Sequence, residues 1–133
     1  AIGENWLSPI SGTVVTLYTE DNYGVMIKPS STAVIAPRSG TVLWAGNGTV
    51  GSLYNGYTNC LVIDHGDGTQ SLLSNLSTIS LSSGDTVKQS ASVGTANLKT
   101  NVHFEIRSEG DPVDPSSYIS KLGTLNSTLV MGK

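Results

Sequence analysis

Charge is scarce in this chain: Asp, Glu, Lys and Arg make up 13% of 133 residues, about half the ordinary globular share. Ten anions outnumber seven cations, for a net charge of −3. That leaves no basic face for the phosphates of DNA or RNA, or for an anionic membrane surface, so neither is expected as a partner. Cysteine is nearly absent. Cys60 stands alone, which excludes an internal disulfide, and its place in Cys60-Leu61-Val62-Ile63 reads as a buried structural thiol. No stretch approaches the roughly 20 apolar residues of a membrane span. No charged-then-apolar leader precedes Ile2, so no signal peptide is visible and no direct membrane insertion is expected of this segment.

Serine, threonine, glycine and asparagine fill the gap. A polar, weakly charged surface is commoner outside the cytoplasm and in virion proteins, so the expected location is extracytoplasmic (periplasmic or cell surface) or a virion. Short β-branched and aliphatic runs recur between turn-forming residues: 13–17, 24–27, 33–36, 41–45, 59–64, 70–73 and 103–107. Runs of this length predict an all-β fold, and no long amphipathic helix is visible. Gly66-Asp67-Gly68-Thr69 predicts a tight hairpin turn, since glycine supplies positive φ. Pro115 to Ile119 predicts a short helical turn capped by Asp114. The length suits one domain, placed at residues 1–120, with 121–133 as a C-terminal tail or linker.

Ser8-Pro9-Ile10-Ser11-Gly12-Thr13-Val14 is echoed by Ala36-Pro37-Arg38-Ser39-Gly40-Thr41-Val42, and Ser83-Gly84-Asp85-Thr86-Val87-Lys88 follows later. Such hairpins mark barrel-sandwich hybrids. Four collinear segments then carry a sharper match: 36–46, 59–77, 79–96 and 101–119, the last reading Asn101-Val102-His103-Phe104-Glu105-Ile106-Arg107 onward. From about Pro9 to Tyr118 the chain resembles the LytM/lysostaphin-type peptidoglycan endopeptidases. The resemblance implies an antiparallel sheet of the duplicated hybrid type, with long loops around a groove. It also implies a zinc site: an H-x-x-x-D pair and the second histidine of a final H-x-H bind the metal, while two further histidines handle water and the scissile carbonyl.

Carried over position by position, that machinery is depleted. The H-x-x-x-D pair falls on Asn22 and Met26. The histidine of the second segment becomes Asn75, and its neighbouring tyrosine becomes Leu73. The first histidine of H-x-H becomes Asn101, and only His103 remains. A catalytic zinc takes about three protein ligands and an open position. An amide oxygen is neutral, and a thioether prefers softer metals such as Cu(I). Neither Asn75 nor Asn101 can take a proton at neutral pH. The expected function is therefore a catalytically inactive LytM-type module with no cofactor. It would bind or scaffold in a cell-envelope assembly (peptidoglycan, division or sporulation) or a phage particle, with a protein partner, a peptidoglycan peptide or both as ligand. Asn22, Met26, Asn75, Asn101 and His103 would line the groove, with Tyr23, Tyr54 and Tyr57 at its rim.

Three other readings are weaker. An active hydrolase with a rearranged site would need ligands from His65, Glu105, Asp21 or Glu20, yet His65 opens a turn and reads as structural. A biotinyl or lipoyl carrier would need a lysine at a hairpin tip in a special motif, and Lys28, Lys88, Lys99 and Lys121 lack it. A purely structural virion or surface component overlaps with the binding module.

Overall fold

A computed structural model of the chain describes residues 3–123. Among these the strands are β1 (Gly12–Thr16), β2 (Val25–Pro29), β3 (Ala33–Ile35), β4 (Gly40–Gly46), β5 (Cys60–Asp64), β6 (Thr69–Ser74), β7 (Thr78–Ile79), β8 (Thr86–Val87), β9 (Ser92–Thr95), β10 (Val102–Ser108) and β11 (Asp111–Val113). One sheet runs β1-β2-β10-β6-β5-β4-β8, with β11 paired to β10; a smaller sheet runs β3-β9-β7. Every pairing is antiparallel. The fold is all-β, of the expected type. A single 3-10 turn among the described residues, Pro115–Ser117, is capped by the Asp114 carboxylate, which accepts from Ser116 N.

The large sheet is covered on both faces, and this explains its composition. Val25, Ile27, Leu61, Ile63, Leu73, Val102, Phe104 and Ile106 point into the main core, which the small sheet closes with Val34 and Val93. The opposite face carries a second cluster: Tyr54, Cys60, Val62 and Leu72, with Trp44 and Tyr57 packed on it. Strands buried on both faces read as continuous apolar runs rather than alternating ones, hence Cys60-Leu61-Val62-Ile63 and Leu72-Leu73. Cys60 is fully buried, and burial pushes its thiol up to about 12.

Segment 47–59 covers the second face and is pinned at its base. Gly48 N donates to Tyr57 O at 2.8 Å, Asn59 N to Asn47 Oδ1 at 2.8 Å, and Asn75 N to Thr58 O at 2.7 Å. A side chain at Gly48 would run into the Tyr54 carbonyl, so the segment closes this tightly only with glycine there. The chain also stays on the domain past residue 120. Leu122 packs against the core, Gly12 N donates to Gly123 O at 2.8 Å, and Gly123 N donates to Ser8 Oγ at 2.8 Å. The rest of the expected tail, 124–133, lies outside the described residues.

Candidate functional site

Antiparallel register builds the site. Met26 on β2, His103 on β10 and Ser74 on β6 lie side by side across three strands. Side chains two apart share a face, so Glu105 and Arg107 follow His103 along the covered side while Phe104 and Ile106 enter the main core. Gly24 lets β2 start against β10, because a Cβ there would meet the Phe104 carbonyl. Above this row an open pocket of about 300 Å³ is lined by Asn22, Tyr23, Met26, Tyr57, Asn75 and His103, among others.

Several of its side chains already have partners within the domain. Asn22 closes its own loop: its Oδ1 accepts from Thr19 N at 2.7 Å and its Nδ2 donates to Leu17 O at 2.9 Å. Asn75 Nδ2 donates to Asn101 O at 3.3 Å, so Asn101, which is exposed, contributes its backbone carbonyl. His103 Nε2 lies 2.8 Å from Glu105 Oε2 and its Nδ1 lies 3.3 Å from Met26 Sδ. Tyr23 and Asn75 both sit at positive φ, 65° and 66°. Asparagine tolerates that region; a tyrosine rarely enters it, which marks local strain at the pocket wall.

Beneath the pocket lies a network centred on Glu105, which is fully buried. Its carboxylate accepts from His103, from the Tyr57 hydroxyl, and from Arg107 Nε at 2.9 Å, while Arg107 Nη2 donates to Tyr57 Oη at 3.2 Å. Burial pushes the Glu105 carboxyl up, but the hydrogen bonds from His103 and Tyr57 and the Arg107 charge outweigh it and hold it below the ordinary 4.5. Burial and the adjacent carboxylate push Tyr57 well above its usual 10.0. For Arg107, burial is outweighed by the Glu105 charge, and its pKa rises.

The expected site residues separate. Asn22, Met26, Asn75, His103, Tyr23 and Tyr57 come together around one pocket. Tyr54, expected at the rim, is instead only 7% exposed and packs on Trp44 in the second cluster, because its ring is the apolar anchor of segment 47–59. His65 is held as expected: Nδ1 donates to Ser39 O at 2.8 Å, which leaves Nε2 to accept from Ser71 Oγ at 2.6 Å. Glu20 and Asp21 are exposed and do not line the pocket. The Arg107–Tyr57 half of the network was not anticipated. The period of two along β10 could have flagged Arg107; Tyr57 is 48 residues from Glu105 and gives no such signal.

Zinc does not fit these residues. Among the described residues no group of three or more His, Cys, Asp or Glu side chains is arranged to hold a metal ion. Glu105 is the carboxylate touching His103, and its oxygens are taken by Tyr57 and Arg107 as well.

Two buried groups set an acid dependence. Burial holds His65 below its ordinary 6.5, with the Ser39 bond opposing, so the unfolded chain takes up a proton there before the folded one. Stability from His65 is thus present above the unfolded value and is lost as pH falls below about 6.5. That from Glu105, also depressed, is lost only below about 4.5. Urea midpoints measured from pH 7.5 to 3.5 are expected to fall in these two stages; a midpoint flat to pH 5 would contradict the first.

Fold and pocket together define a LytM-type β domain. The chain belongs to peptidase family M23, whose family model matches residues 20–115. The lipoprotein NlpD/LppB homolog of Pseudomonas aeruginosa is 30% identical over 129 residues, covering 91% of this chain and 41% of that protein. The murein hydrolase activator NlpD of Escherichia coli is 31% identical over 124 residues, covering 86% and 31%. Stage II sporulation protein Q of Bacillus subtilis is 35% identical over 95 residues, covering 66% and 31%. The chain therefore spans less than half the length of these relatives. Among solved structures, that of the SpoIIQ–SpoIIIAH pore-forming complex matches with a TM-score of 0.66 at 22% identity, covering 98% of each chain. Lysostaphin from Staphylococcus simulans, an antimicrobial peptidase, also matches at 0.66 and 22%, covering 90% and 54%. At that identity the structures speak for the fold alone.

Proposed function

We propose that this domain is a non-catalytic M23 module that binds or scaffolds in an extracytoplasmic envelope assembly. The observation that carries the reading is the state of His103: its imidazole lies between a thioether and a salt-bridged carboxylate, not among the His and Asp ligands a catalytic zinc uses. Asn75, at the position of a family histidine, is an amide that takes no proton at neutral pH, and its Nδ2 is spent on the Asn101 carbonyl. Relatives named as a murein hydrolase activator and a sporulation protein support a role through association. The pocket, with the half-exposed Tyr23 on its wall and amides around it, suits an extended peptide stem of peptidoglycan or a loop of a protein partner.

Incubation with purified peptidoglycan, with and without added zinc, tests the reading. Mass spectrometry is expected to find no released muropeptides, while co-sedimentation retains the protein. Tyr23→Ala, which removes an exposed ring, is expected to weaken retention several-fold with an unchanged thermal midpoint. Zinc-dependent release of cross-bridge fragments would refute it.

A further inference from the structure

The pocket floor rejects a borderline divalent metal, yet two of its atoms suit another class. His103 Nε2 faces the buried Glu105 carboxylate at 2.8 Å, so Nε2 carries the proton and donates it. In the neutral imidazole Nδ1 then presents a lone pair. Met26 Sδ lies 3.3 Å away, and a thioether has no proton to give. Two acceptors thus face each other at the base of an open pocket. Only a second proton on the imidazole, or a shared cation, makes that contact favourable.

We propose that His103 Nδ1 and Met26 Sδ form a binding site for a soft monovalent cation of the copper(I) and silver(I) class. Thioether sulfur selects such ions over zinc, calcium or magnesium. The carboxylate behind the ring fixes its tautomer and orientation, the outer-shell arrangement that metal-bound histidines use. The 3.3 Å separation is too short for the two atoms to flank one ion in line, so an ion touching both would be held at a bent angle. That angle suits a bent site whose third position, on the pocket side, takes water or a donor from a partner. Replacing the carboxylate of the family pattern by Met26 removes the negative charge a divalent ion needs and leaves a ligand a soft ion prefers. The site is independent of what the pocket docks, because it needs only these two side chains and the Glu105 bond.

Silver nitrate titrated into the protein in chloride-free buffer tests the site, read by imidazole ¹⁵N and methionine methyl ¹³C resonances. Expected are one equivalent bound, a large shift at His103 Nδ1 and at the Met26 methyl, and no shift at His65, whose two nitrogens are bonded internally. Copper(I), added anaerobically against a chromophoric chelator, should compete with silver. Met26→Leu is expected to weaken binding at least about tenfold, whereas Cys60→Ala and Met131→Leu, which remove the other soft side chains, should leave it unchanged. Thermal melts confirm folding, and the wild-type resonances identify the ligands even where a variant unfolds. Silver bound at Cys60, or a His103 Nδ1 that stays protonated and unmoved, would overturn the site.

Discussion

Glu105→Leu is expected to cost roughly 3–5 kcal/mol of unfolding free energy, the range for removing one partner of a buried ion pair. The side chain is fully buried and is the common acceptor for His103, Tyr57 and Arg107. Its loss leaves a partly buried guanidinium facing apolar surface and strands the Tyr57 hydroxyl. The same desolvation makes the losses non-additive. Arg107→Leu alone leaves the carboxylate uncompensated, but the double variant removes both charges and is expected to lose clearly less than the sum of the singles. Urea denaturation of the four proteins closes the cycle. Additive losses would mean that the two charges do not act on each other, and the Glu105 network would be wrong.

The second large effect is a gain. Asn22→His with Met26→Asp rebuilds the ligand pair the resemblance implies, on the loop and strand that face His103. Three ligands with an open position are what a catalytic zinc site uses. Zinc affinity measured by calorimetry is expected to rise on the order of a hundredfold or more over wild type, since adding direct ligands outweighs the 10–100-fold effect of outer-shell partners. Met26→Asp alone should gain much less. The Asn22 change carries a structural cost, because its amide closes the turn through Leu17 and Thr19. No gain in the double variant would show that the pair was carried onto the wrong positions.

Much of the architecture was legible because local patterns and tertiary demands agree. The apolar runs that became β2, β4, β5, β6 and β10 lie within about two residues of where their composition puts them. Asp114 caps the turn its position implies. The short strands β7, β9 and β11 carry little apolar signal of their own, and pairing with neighbours defines them. At the pocket, spacing alone sets His103 and Glu105 on one face. It does not tell that segment 47–59 folds back over that face, which buries Tyr54 and delivers the Tyr57 hydroxyl to Glu105. Aromatic residues in a polar, glycine-rich loop read equally as rim or anchor, and long-range closure decides between them.

That the wild-type pocket does not hold zinc is the central claim. Titration of the metal-free protein with zinc at neutral pH, followed by calorimetry and by elemental analysis after dialysis, tests it directly. The predicted result is no stoichiometric binding tighter than about 1 μM, or −8.2 kcal/mol. One equivalent bound at sub-micromolar affinity and lost in His103→Ala would contradict it.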